Sequence, residues 1–119
     1  MKKPPSLVME PRFRVTCGRR FAFGPGQAAL LDHIKQTGSI AEAAKAMDMS
    51  YMRAWLLVKK MNRGFRKPLV ETARGGRGRG GAKLTTTGGR VRLLYREIET
   101  RSLGATRASR QKLVRLLQT

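Results

Sequence analysis

The side chains able to do chemistry in this sequence are overwhelmingly cationic, and they are grouped. Between Arg53 and Arg92 stand twelve Lys and Arg residues and a single acid, Glu71. One subset, Arg53, Lys59, Lys60 and Arg63, recurs with Met52 and Leu56 at helical spacing, so a helix here would carry them along one outward stripe. A second subset lies in Ala73-Arg74-Gly75-Gly76-Arg77-Gly78-Arg79-Gly80-Gly81. Its glycines let the backbone approach a ligand closely, and its arginines supply fork-shaped donors. Both patterns suit phosphate. A solvated helix face normally mixes signs, and this stripe holds no acid, so a polyanion-binding surface is preferred over plain solvation.

Other chemistries lack their parts. No paired carboxylates, metal-ligand spacing or nucleophile-base arrangement stands out, so no enzyme, cofactor or metal is expected. His33, the only histidine, has no partner and reads as a helix residue. Cys17 stands alone, which excludes an internal disulfide and any zinc site built on paired cysteines. The run Gly76-Arg77-Gly78-Arg79-Gly80-Gly81 fits G-x-G-x-x-G in form, yet it leads into the strand-like Ala82-Lys83-Leu84 and does not open a helix. It is no dinucleotide fingerprint.

The whole chain agrees with a nucleic-acid partner. Its 119 residues carry 26 Lys and Arg against 7 Asp and Glu, a formal charge of +19, while 40% of residues are hydrophobic. One folded domain with an anionic partner is expected. Met1-Lys2-Lys3-Pro4-Pro5 leads into no secretory apolar core, and no run approaches the roughly 20 apolar residues of a membrane span. A membrane partner is not expected, and a cytoplasmic, nucleoid location is.

The elements that must position these cations follow from spacing and punctuation. Residues 1–11 read as a flexible leader, and the alternation in Phe13–Phe23 as a hairpin turning near Cys17-Gly18. A first helix is expected from about Pro25 to Thr37, with Ala28, Leu30, Leu31 and Ile34 inward and Gly38 as its stop. Ser39-Ile40-Ala41-Glu42 fits a capping box for a second helix that buries Ile40, Ala43, Ala44 and Met47 and ends near Asp48. Ser50 can cap a third helix with Tyr51, Ala54, Trp55, Val58 and Met61 inside. Leu69–Thr72 and Ala82–Leu84 then form a hairpin with the glycine-arginine run at its tip. Thr85-Thr86-Thr87 offers caps for a last helix carrying Val91, Leu94, Tyr95 and Ile98, and the tail beyond Arg101 is helical or frayed.

Two short helices joined by a tight turn, with a supporting helix before and a hairpin after, make a winged helix-turn-helix. The fold class expected is mainly α with small β-hairpins. Gly38-Ser39-Ile40, Ala43-Ala44, Ser50-Tyr51, Ala54-Trp55, Met61-Asn62, Leu69-Val70-Glu71, Gly75-Gly76, Gly80-Gly81-Ala82 and Leu84-Thr85 with Gly88 carry a resemblance. Across residues 24–99 the chain resembles the DNA-binding domain of ModE-type molybdate-responsive transcriptional regulators, with a more distant likeness to LysR-type winged domains. The resemblance implies DNA binding as a dimer through the helix after the wing. The chain ends some twenty residues beyond the similar region, so a stand-alone member without molybdate-binding modules is expected.

The reading is therefore a transcriptional regulator of double-stranded DNA, with residues 12–85 as the DNA-binding domain and 86–119 as a dimerisation element. Ser50, Tyr51, Met52, Arg53 and Leu56 are assigned to the base edges or their rim, and Lys59, Lys60 and Arg63 toward the phosphates. Ser39 joins the DNA-binding set, and Arg74, Arg77, Arg79 and Lys83 serve the wing. Val91, Leu94, Tyr95 and Ile98 form the seam of a homodimer. A nucleoid-structuring protein and an Arg-Gly RNA binder are the alternatives.

Overall fold

The computed structural model describes residues 9–19, 21–73 and 81–118, so most of the leader and the tip of the wing lie outside the described residues. Val15–Cys17 (β1) and Phe21–Phe23 (β2) pair antiparallel, with Val15 opposite Phe23 and Cys17 opposite Phe21. Gly18 makes the turn at φ +58°, in the left-handed region that glycine tolerates.

Pro25–Thr37 (α1) starts on a proline, where a missing N–H costs nothing, and ends at Gly38 with φ 68°. Ala28, Leu30, Leu31 and Ile34 turn inward and are fully buried. Ile40–Ala46 (α2) is capped by Ser39, whose hydroxyl accepts from the Glu42 N–H at 3.1 Å. The other half of the expected capping box does not form. The Ser39 N–H donates to the Thr37 hydroxyl at 3.3 Å, and Glu42 pairs with Lys45 at 3.6 Å. With the N–H already served and a cation one turn on, the carboxylate has no reason to reach back.

Tyr51–Gly64 (α3) follows a short turn and is capped by Ser50, which accepts from the Arg53 N–H at 3.1 Å. Ala54, Val58 and Met61 are buried, and Trp55 and Leu57 pack half-buried at the rim of the core. Tyr51 does not join them: it is 53% exposed. Helical side chains lean toward the N-terminus, so a residue in the first turn overhangs the end of the layer beneath it.

Val70–Ala73 (β3) and Gly81–Leu84 (β4) pair antiparallel, Val70 opposite Leu84 and Ala73 opposite Gly81. The Ala82 N–H donates to the Gly38 carbonyl at 2.9 Å, tying this hairpin to the end of α1. Thr86–Ala105 (α4) is capped by Thr85, which accepts from the Gly88 N–H at 2.9 Å and donates to the Pro68 carbonyl at 2.6 Å. Gly88 is where α4 meets the chain entering β3: a Cβ there would lie 2.0 Å from the Leu69 carbonyl oxygen. The tail is helical, since Arg107–Arg115 (α5) follows α4 after a break at Thr106.

Together α1 to α3 and the β3–β4 hairpin make a winged helix-turn-helix, mainly α with small β-hairpins. An aromatic cluster closes one end of the core. Phe21 and Phe23 meet Phe65 edge-on at 5.4 and 5.6 Å, and Phe23 meets Tyr95 at 5.5 Å. The Tyr95 hydroxyl donates to the Phe13 carbonyl at 2.7 Å, and burial, followed by the Glu99 charge, raises its pKa above the usual 10.0. Asp32 on α1 holds α4 by pairing with Arg92 at 2.5 Å and with Arg96, which also bonds Glu99 at 2.7 Å. The radius of gyration is 17.6 Å, against about 13.5 Å for a compact chain of this length, so the α4–α5 arm projects from the domain.

Candidate nucleic-acid interface

The outward stripe of α3 is built by its own periodicity. Since Ala54, Val58 and Met61 are drawn into the core, Met52, Leu56, Lys59, Lys60 and Arg63 turn to the opposite side, with Arg53 beside them. All six are exposed, Met52 at 59% and Leu56 at 48%. The stripe is apolar toward the helix N-terminus and cationic toward the C-terminus. Lys59 lies over the Trp55 ring at 4.3 Å, so a cation–π contact holds its ammonium at one edge of the stripe. Tyr51 and Ser50 flank the first turn, both exposed, so they stand at the tip of the same surface.

Asn62 sets the position of the wing relative to this stripe, and sequence reasoning gave it no role. Its Oδ1 accepts from the Leu69 N–H at 2.8 Å and the Val70 N–H at 3.1 Å, while its Nδ2 donates to the Val70 carbonyl at 2.9 Å. One amide thus satisfies three backbone groups at the root of β3. The available signal was an amide two residues before the helix end and eight residues before a strand, which is too weak to use alone.

Other expected site residues take varied places. Ser39 spends its hydroxyl on the α2 cap and is half-buried. Lys83 is exposed on β4 and pairs with Glu71 across the hairpin at 3.4 Å. Arg74, Arg77 and Arg79 lie outside the described residues. Arg92, counted in the cationic run, faces α1 through its pairing with Asp32 and does not belong to the α3 surface. A cationic contribution that the sequence reading passed over comes from the β1–β2 hairpin, where Arg14 and Arg19 line a cleft with Lys60.

On α4, Leu94 and Ile98 are 51% and 48% exposed and share a row with half-buried Val91 at i, i+3 and i+7. Tyr95 adjoins this row on its core-facing side and is 4% exposed within its own domain. Leu93 is exposed on the far side of the helix, and Leu113, Leu116 and Leu117 are exposed on α5. Among the described residues, no three His, Cys, Asp or Glu side chains gather as metal ligands, and no helix is long and apolar enough to cross a membrane.

Comparison with known proteins agrees with this geometry. Over 77 residues, 65% of the chain, it is 44% identical to the transcriptional regulator ModE of Yersinia pestis, of which it covers 29%. It is 45% identical over 71 residues, 60% of the chain, to the DNA-binding transcriptional dual regulator ModE of Escherichia coli strain K12, covering 27% of that protein. It is 41% identical over 75 residues, 63% of the chain, to the molybdenum transport protein ModE of Herbaspirillum seropedicae, covering 28%. The chain therefore spans less than a third of the length of these relatives. Residues 26–89, more than half of the chain, match the family described as bacterial regulatory helix-turn-helix protein, lysR family, and it is to this family that the chain belongs.

Proposed function

We propose that the chain is a sequence-specific regulator of transcription that binds double-stranded DNA, with α3 in the major groove and the β3–β4 wing on the minor groove or phosphates. The observation that carries this is the α3 stripe: six exposed residues, four of them cationic and none acidic, on a helix whose other side is locked in the core. A major groove about 12 Å wide accepts one such helix. The exposed Ser50 to Arg53 turn supports base contact, because the N-terminal part of a recognition helix reaches base edges, and Lys59, Lys60 and Arg63 suit phosphates.

A homodimer through α4 is part of this reading, supported by the exposed Leu94–Ile98 row and by the similarity to ModE regulators. The seam consists of Val91, Leu94 and Ile98, and Tyr95 supports it from below. The place of action is the cytoplasmic nucleoid, and molecular recognition, with no catalytic step, is the activity.

Selection of bound fragments from random duplex DNA tests the reading. A recurring half-site is expected. If about six phosphates are neutralised, log affinity falls with log salt at a slope of about −5. Tight binding without any recurring motif would make the chain an architectural protein. Displacement of duplex by single-stranded RNA would favour the Arg-Gly segment as an RNA binder, and salt-independent affinity would contradict the electrostatic basis of both.

A further inference from the structure

A helix lying in the major groove has a sugar-phosphate backbone along each of its edges, and the wing attends to one of them. At about 100° per residue, Trp55, Lys59 and Asn62 line one edge of α3 and Leu57, Lys60 and Gly64 line the other. Asn62 binds the root of β3, so the wing belongs to the first edge. The β1–β2 hairpin belongs to the second. Gly64 faces the Phe21 ring so closely that a Cβ would lie 2.4 Å from it, and Phe21 and Phe23 both pack on Phe65 just beyond. The hairpin is pinned there by aromatic contact.

Between this hairpin and α3 runs an open cleft of about 460 Å³, to which the hairpin contributes Arg14, Thr16 and Arg19, α1 contributes Gln27, and α3 contributes Leu57 and Lys60. No acid lines it, and neither Arg14 nor Arg19 has an ion-pair partner among the described residues. An adjoining cleft extends the surface past Cys17 to Arg63. Cations from two elements thus converge on the flank that the wing leaves open, and a ladder of phosphates is the partner that fits a cationic trough continuous with a groove-binding stripe.

We propose that the β1–β2 hairpin is a second phosphate clamp, in which Arg14 and Arg19 act with Lys60 on the DNA backbone opposite the one held by the wing. This rests on the duplex-binding reading above and adds a contact outside the helix-turn-helix. The clamp is blind to sequence, because it meets only backbone.

The test is Arg14→Ala/Arg19→Ala in the full chain. Both side chains are exposed, so thermal unfolding should not change. Two lost contacts per protomer at about 0.9 each should make the salt slope shallower by about 1.8 for each protomer on the duplex, about 3.6 for a bound dimer, with equal loss of affinity on selected and random duplex. A second measurement uses Cys17, the single cysteine, which is exposed on the hairpin. A photocrosslinker attached to its thiol should join to the backbone at the border of the bound site. An unchanged slope, a loss confined to the selected sequence, or no crosslink from a bound complex would overturn the clamp and leave duplex binding standing. Failure of the unaltered chain to bind any duplex would overturn both.

Discussion

Replacing Asn62 by leucine keeps the number and branching of the side-chain heavy atoms and removes the three hydrogen bonds that join α3 to the root of β3. The amide serves two N–H groups and one carbonyl, on Leu69 and Val70, which are 0% and 2% exposed. Each backbone group left unpaired in a buried site costs about 1 to 3 kcal/mol. The bonds are only part-buried, so water can reach some of these groups, and the low end is appropriate: three groups at about 1 kcal/mol each give a loss of about 3 kcal/mol. For a domain of 5 to 15 kcal/mol total stability that is a large fraction. Urea denaturation should show a lower midpoint with an unchanged slope, since the surface exposed on unfolding stays the same. A second effect follows if the wing drifts from α3: duplex affinity should weaken at concentrations of urea far below the unfolding midpoint. A stability loss under about 0.5 kcal/mol would refute the view that Asn62 is the wing's anchor, because buried partners cannot go unpaired so cheaply.

Four further outcomes are expected. Gly88→Ala would drive a Cβ into the Leu69 carbonyl and should cost about 3 kcal/mol or more, whereas Gly89→Ala meets nothing within 4 Å and should add up to about 1 kcal/mol through helix propensity; thermal melts of the pair read both signs. Tyr95→Phe should lose about 1 kcal/mol at neutral pH with the bond to the Phe13 carbonyl. A phenol whose pKa is higher folded than unfolded keeps its full contribution below pH 10 and loses it as pH rises through the folded value. Alkaline melts should therefore show the wild type's advantage over Tyr95→Phe shrinking above pH 10. Arg53→Ala should weaken a selected site by about 1 to 3 kcal/mol and random duplex less, as titrations of the two will show; equal loss would move Arg53 to the phosphate contacts. Leu94→Glu/Ile98→Glu should yield a monomer by sedimentation while leaving the far-ultraviolet spectrum intact, because both residues are exposed in the single subunit.

What the sequence made legible is what short-range chemistry decides. Pro25, Gly38, Ser50 and Thr85 act within three or four residues of themselves, and each starts or stops its helix where spacing placed it. The same locality explains the stripe on α3, since periodicity alone sends Met52 and Arg63 to one side when Ala54 and Met61 go to the other. Burial decided by a helix end or by partners distant in the chain was not legible. Tyr51 keeps the period of the buried face yet stands past the end of its support, and Tyr95 was assigned to a surface seam although Phe23 and the Phe13 carbonyl draw it inward from 72 and 82 positions away in the chain. Asn62 escaped for a related reason: its partners become neighbours only once β3 folds back beside α3. The capping box at Ser39 erred on a smaller scale, because Thr37 supplied the acceptor that the motif assigns to Glu42.

Much of the attachment of α3 lies in its rear half, at Val58, Met61, Asn62 and Gly64, while in its front half Tyr51, Met52, Arg53 and Leu56 are exposed and Ala54 and Trp55 face the core. Under the proposed function, folding and reading would therefore draw on separate letters of one helix. If those four front positions do the reading, descendants of such a domain could rewrite them and acquire new operators without first repairing a damaged core, which would leave preference for a target free to wander while the scaffold stands still.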